Sequence, residues 1–429
     1  MSVAIAKRFS AATLAFALAM IFAASAAAAP AVNGIFEVPG IETNNKIAPG
    51  PDGNMWVTVA GAANNVASIT PAGEVKEFKL NLEGATGIAS GPDGKMWVVA
   101  DKAVASFSPS NPEGTVAKTP IAAIEGDYSI VAGPDGKMWV ATKNVVLRFS
   151  PSNPAVQEPK EIKELTPKDI DVAGSLIVIA DSGKPRIVTL TTGFELREYP
   201  IGKEGQSQGV AGSPSGQIAF SNPLSNPELV GLFTPPTPPT PTELAGDPFG
   251  VAYGSDQAFW IAQFAKGGVT RLASDGTMTF LGGLPVESPR QIAAGPANTL
   301  WVTLVEKEKV IKSSVARVSG LEPPVITPPV TKIAKGPKGK VRTAGKRARI
   351  KFRFSSTTPG ATFECALTKV KKLKKGQKAA KPKFKGCKSP KSFSLKPGKY
   401  RFWVRAVNAG LVDPTPAKRS FSVVHVHKH

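Results

Sequence analysis

The chain has 429 residues, with 53 Lys/Arg against 32 Asp/Glu and a formal charge of +21. The excess sits at one end: residues 325–429 hold 28 Lys/Arg and two acids, Glu364 and Asp413, which leaves 25 basic and 30 acidic residues to the rest. This excludes one uniformly basic fold and points to two domains, the second with an anionic partner; and since the histidines are His425, His427 and His429, no imidazole base is available before the tail.

Lys7 and Arg8 precede an apolar, Ala-rich run (9–22) and then small residues (25–29). This reads as a secretory signal peptide over 1–29. An uncleaved anchor is the alternative, but the apolar core is short for a span. No other long apolar run follows, so the mature chain is expected to be soluble, monomeric, and secreted or cell-surface associated.

Residues 33–320 repeat one phrase seven times: an Ile/Val, a Gly-rich turn, then an apolar pair usually ending in Trp. The clearest copies are Gly50-Pro51-Asp52-Gly53 before Trp56, Gly91-Pro92-Asp93-Gly94 before Trp97 and Gly133-Pro134-Asp135-Gly136 before Trp139. Weaker copies end at Ala219, Trp260 and Trp301, and a degenerate one covers Leu176 to Ala180. A period of about 41 residues with four short strands per unit predicts a seven-bladed β-propeller. One large aromatic per unit should fill the wedge between blades. The Asp of each turn is expected to cap that turn rather than bind calcium. The last repeat lacks a fourth strand, and the segment from Gly34 to Pro39 resembles one. The N-terminal strand is therefore expected to close the ring.

A proline-rich excursion (234–242) interrupts the fifth unit between its third and fourth strands, and should be stiff and extended. A second Pro-rich stretch, 321–337, reads as a linker. From 338 to 424 alternating strand candidates lie between Gly/Pro turns, as in a small antiparallel sandwich. Cys365 and Cys387 most simply form a disulfide across a loop of about 20 residues, worth roughly 3 kcal/mol; two free thiols are the alternative. Between them the basic residues Lys369, Lys371, Lys372, Lys374, Lys375, Lys378, Lys381, Lys383 and Lys385 suit non-specific attraction to a polyanion, such as an anionic cell-wall or surface polymer. A merely solubilising loop is the plainer reading. Sequence-specific nucleic-acid reading is not expected. The alternating histidines of 425–429 could hold a metal only weakly, so no metal site is assigned.

The basic part resembles an Ig-like module of secreted bacterial proteins. Its marks are Phe363-Glu364-Cys365, Pro397-Gly398-Lys399-Tyr400, Val404-Arg405-Ala406 and Asp413-Pro414-Thr415. The repeats resemble those of the streptogramin B (virginiamycin B) lyase family, a seven-bladed propeller. The expected fold is thus all-β, a propeller followed by an Ig-like β-sandwich. The lyase resemblance implies a magnesium-dependent lactone-opening elimination by His and Glu at the channel mouth. The matched histidine positions hold Phe249 and Arg290, and the matched glutamate positions hold Ser288 and Leu304. The family mechanism therefore lacks its parts, and no catalytic residue or cofactor is assigned; magnesium enters only if lyase activity survives. The matched mouth positions hold Tyr128, Gln208, Asn222, Phe249, Gln263 and Arg290, a surface suited to sugars or peptides. The expected function is a secreted binding protein, with a C–O lyase and an extracellular interaction scaffold as the alternatives.

Overall fold

The computed structural model describes residues 29–60, 65–121, 128–305, 312–322, 328–358, 360–370, 381–408 and 410–426. Nearly all of the signal-like segment lies outside these residues. The chain divides into two compact units, Met1–Pro323 and Pro324–His429. The regular structure of the described residues is all strand apart from one short 3₁₀ turn at Glu113–Thr115. No helix among them is long and apolar enough to cross a membrane.

In the first unit the described residues form seven four-stranded antiparallel sheets, each built from consecutive strands except the last. These are blade 1 (47–78), blade 2 (87–120), blade 3 (129–161), blade 4 (167–200), blade 5 (209–243), blade 6 (248–282) and blade 7. Blade 7 takes Pro289–Gly295, Thr299–Leu304 and Ser314–Ser319 from the end of the unit, and Ala31–Glu37 from its start. The N-terminal strand pairs Ile35 with Ala316 and Phe36 with Val315, and the Val38 N–H donates to the Ser313 carbonyl at 3.0 Å. The ring closes as the repeat count predicts.

The turn chemistry explains why each blade holds. Gly53, Gly94 and Gly136 have φ of 80°, 74° and 71°, which a side chain would strain. The turn aspartates do more than cap. Asp52, Asp93, Asp135 and Asp256 each accept a hydrogen bond from the indole N–H of the following Trp at 3.0–3.1 Å. The one polar atom of each buried ring is thereby satisfied. Trp301 uses Thr299 Oγ1 instead, at 2.9 Å.

Each Trp packs against the following blade. Trp56 lies 5.4 Å from Phe78 and 5.2 Å from Phe107, and Trp301 packs among Ile47, Met55 and Val57 of blade 1. Where blades 4 and 5 lack the Trp, Tyr199, Phe220 and Phe233 fill one interface and Phe259 the next. Strand register aligns the degenerate repeat: Ile170 pairs with Ile179 as Ile292 pairs with Val302, so Val178 stands in the Trp301 position. The proline-rich excursion connects the third and fourth strands of blade 5, as expected, though Thr240–Glu243 is already strand.

The second unit has two sheets. Thr331–Lys335, Ala348–Ser356 and Lys391–Leu395 make the smaller. Gly339–Thr343, Ala417–His425, Gly398–Asn408, Thr362–Lys369 and Lys385–Cys387, with the short Leu411–Val412 beside Gly398–Asn408, make the larger, and Gly339–Thr343 joins in parallel. Strict alternation, as in Ala348–Ser356, turns Ile350, Phe352 and Phe354 onto Phe402, Val404 and Phe421. Phe352 and Phe402 stack at 4.1 Å. Thr331–Lys335 falls in the stretch read as linker. It is held there by Asp413, a buried carboxylate that accepts the Thr331 N–H at 2.8 Å. The cysteines are joined, with Cα atoms 5.8 Å apart. Lys371, Lys372, Lys374, Lys375, Lys378, His427 and His429 lie outside the described residues.

Candidate functional site at the channel mouth

The innermost strands surround a channel of about 550 Å³ lined largely by Ile47, Ile88, Ile130, Val210, Val251 and Ile292. At its upper end Lys46 of blade 1 reaches Asp169 of blade 4 at 2.9 Å and Gln291 of blade 7 at 3.0 Å. This bridge spans the channel. The space around it, edged by Tyr128, Lys168, Gln208 and Phe249, is only about 20 Å³. Roomier cavities lie to the side, one of them bordered by Arg290. That one holds about 530 Å³ beside blades 6, 7 and 1, bounded by Glu42, Thr43, Phe264, Glu287, Arg290 and Ser313 among others.

Three inner strands carry a β-bulge after a proline: Pro167/Asp169, Pro248/Val251 and Pro289/Ile292. A bulge re-aims the extra residue. Here it presents Lys168, Phe249 and Arg290. The Arg290 guanidinium carbon lies 4.1 Å from the Phe249 ring centre and 3.9 Å from that of Phe264. Its Nε is buried and has no hydrogen-bond partner among the described residues. Burial pulls its pKa down, and the charge of Asp247 offsets this only in part. Burial likewise raises the Asp247 carboxyl, with help from Glu228.

The sequence-derived site residues separate into three groups. Arg290 borders the large cavity. Tyr128, Gln208 and Phe249 edge the small central space. Asn222 and Gln263 are fully buried, which corrects their placement at the mouth. Asn222 accepts the Gln206 N–H at 2.8 Å and so ties down a loop. Among the described residues the Gln263 amide has no hydrogen-bond partner, and it sits beneath Gly246. The same register puts Asp181 at the position of blade 4 equivalent to Gln263, since Pro167 pairs with Asp181 as Pro248 pairs with Gln263. There it is buried and bound to Arg186 at 2.7 Å. Ser288 and Leu304, at the matched glutamate positions, are buried too. Phe264, half of the arginine clamp, went unseen because it follows Gln263 at a position without a repeat signature. The shared Pro-x-x-Ile/Val of the three bulges was the available signal for blade 4.

Two acids of blade 4 face the channel and reach across to blade 5. Asp169 accepts the Val210 N–H at 3.2 Å and Asp171 the Gly212 N–H at 2.9 Å. Desolvation pushes the Asp171 carboxyl up to about 7, partly offset by the Gly212 and Val172 N–H groups. It is not sealed off by area, but the surrounding wall is apolar and hydrates it poorly. An acid whose native pKa is raised stabilises the fold fully below about pH 4. That contribution is lost as pH rises to about 7. Asp171→Asn should therefore flatten the fall in stability across this window. It should also stabilise the protein at pH 8 by about 1–2 kcal/mol, allowing for channel hydration. Denaturant melts of both proteins at pH 4.5 and 8 check this; an equal fall in each would contradict it.

No protein-family model matches the chain, and no curated protein matches it. Solved structures do match, over the propeller. A streptogramin B lyase is 15% identical, covering 67% of this chain and 96% of that one with a TM-score of 0.57. Virginiamycin B lyase from Staphylococcus aureus is 14% identical over 67% and 99%, with a TM-score of 0.56. The WD40 repeats of RRP9 reach 0.56 at 10% identity over 68% and 99%. Propellers of unrelated description fit equally well, so the likeness establishes the β-propeller fold and leaves function to the site.

Proposed function

We propose that this is a secreted binding protein without lyase chemistry: the propeller mouth holds a ligand, and the basic unit, an Ig-like module, tethers the chain to an anionic surface polymer. The observation that carries the reading is the Phe249–Arg290–Phe264 stack. Two of its members, Phe249 and Arg290, stand at the positions where the resemblance calls for imidazole bases. A guanidinium donates hydrogen bonds but takes up no proton at neutral pH. The disulfide fits a compartment outside the cytoplasm. The tether rests on charge, since Lys369, Lys381, Lys383 and Lys385 are exposed beside the cystine.

A salt titration of the signal-free chain against an anionic wall polymer and a neutral glycan tests the tether. Counterion release makes polyanion affinity fall steeply with salt. Replacing Lys381, Lys383 and Lys385 with Gln should lower the low-salt affinity and the slope together. Equal, salt-insensitive binding to both polymers would sink the tether, as would no binding at low salt.

A further inference from the structure

The basic unit has two acids, and both are engaged within it. Asp413 is buried and accepts the Thr331 N–H, and Glu364 is bound by Arg405 at 2.7 Å. The stretches of this unit outside the described residues contain no Asp or Glu, so they cannot reverse its sign. All the remaining charge of the unit is positive, and its counter-charge must come from outside the unit.

Alternation along Gly398–Asn408 decides where that charge meets an aromatic ring. Tyr400, Phe402 and Val404 turn into the core, while Lys399, Arg401, Trp403 and Arg405 turn outward. Register sets Lys418 directly opposite Trp403, and Ser420 opposite Arg401. The Lys418 ammonium lies 5.5 Å from the Trp403 ring centre, and the Arg401 guanidinium carbon 5.7 Å. The indole is thus a partly exposed flat surface with two cations at its margin. Lys340 and Arg342, both exposed, continue the basic face on the edge strand. Arg401 donates its Nε–H to Ser420 Oγ at 3.0 Å, which holds the guanidinium in place. Among the described residues its two terminal nitrogens have no acceptor. They form the flat fork that meets a carboxylate in two parallel bonds.

Charge alone would take any polyanion. The smaller sheet also carries an outward basic stripe, Arg349, Lys351 and Arg353, but no aromatic side chain stands among them. On the larger sheet the indole adds a preference for a ring. A nucleic-acid strand is held by successive aromatic platforms, one for each stacked base. Here the neighbouring ring, Phe384, is already covered by the Arg405 guanidinium at 4.1 Å. One ring framed by cations instead suits a polymer of saturated rings that each carry an acid. The C–H face of such a ring packs on the indole while its carboxylate reaches the margin.

We propose that this face of the basic unit binds a uronic-acid polysaccharide, a sugar ring packing on Trp403 and its carboxylate meeting Arg401 and Lys418. This rests on the reading of the basic unit as a tether to an anionic polymer, and it gives that polymer its chemistry.

The test is titration of the chain, made without residues 1–29, at low and moderate salt. The probes are polygalacturonate, polyglutamate of matched length, single-stranded DNA and a neutral glycan. Polygalacturonate should bind about tenfold more tightly than polyglutamate. Trp403→Ala should erase that preference and leave polyglutamate binding unchanged. Arg401→Gln with Lys418→Gln should weaken both polyanions, polygalacturonate the more; this pair keeps the test open if Trp403→Ala fails to fold. Replacing Arg349, Lys351 and Arg353 with Gln on the other sheet should leave the preference intact. Equal binding of the two polyanions, or a preference that survives Trp403→Ala, overturns the proposal and leaves a tether by charge alone. Single-stranded DNA that binds more tightly than polygalacturonate, and does so through Trp403, overturns it in favour of a nucleic acid. If no polyanion binds even at low salt, the tether fails with it.

Discussion

A chain lacking Ala31–Glu37 should not hold a closed ring. That strand supplies the outer edge of blade 7, and its side chains reach both neighbouring interfaces. Val32 packs against the core shared by blades 6 and 7, and Phe36 against the core shared by blades 7 and 1. Phe36 sits 5.7 Å from Trp301, and a Cβ on Gly73 of blade 1 would be 2.0 Å from its ring. Losing these apolar groups and the strand pairing should cost on the order of 5 kcal/mol, within reach of a domain's whole stability. It would also bare Ser314–Ser319 as an unpaired edge prone to association. The expected result is a lower and broader unfolding transition with early aggregation. Ile35→Ser, at an exposed position of the same strand, should leave the transition nearly unchanged. A deletion that melts with the cooperativity of the parent would show that the ring does not depend on this closure.

The second large effect is expected in the basic unit. Cys365 and Cys387 tie paired strands at the base of the lysine-rich segment. Like charges crowd there, and the core is small: one aromatic cluster around Phe352 and Phe402. Changing both cysteines to Ala should cost about 3 kcal/mol, mostly through the freedom returned to the unfolded loop. The propeller, which contains no cysteine, should be unaffected. Melting followed by Trp403 fluorescence in a variant with the propeller tryptophans masked, or calorimetry resolving two transitions, would separate the units. Unchanged melting of the basic unit would mean the cystine contributes nothing to its stability.

Much of the fold was legible because its chemistry repeats. Four Asp–Trp pairs at one spacing recur through the propeller, and periodicity found them without any contact being known. The errors fall where repetition lapses. In blade 4 the Trp and its turn are both gone, so only strand pairing places Val178 and Asp181 in the repeat. Thr331–Lys335 was hidden by flanking prolines, and its partner Asp413 lies far away in sequence. The candidate site was half legible. Arg290 and Phe249 came from the repeat positions, but Phe264 occupies no repeat position and Glu42 lies before the first blade. Asn222 and Gln263 were misplaced because equivalence along a strand says nothing about which way the loop above folds. Here those loops cover them.

The central claim is that the mouth binds and does not open a lactone. The direct measurement is to incubate the purified protein, made without residues 1–29, with a streptogramin B lactone and magnesium and follow the cyclic and linear forms by chromatography. The account predicts no linear product above the protein-free control. It also predicts none after His is placed at positions 249 and 290, because Ser288 and Leu304 are buried and supply no carboxylate. Turnover by the native protein that disappears in Arg290→Gln or Phe249→Ala would contradict it.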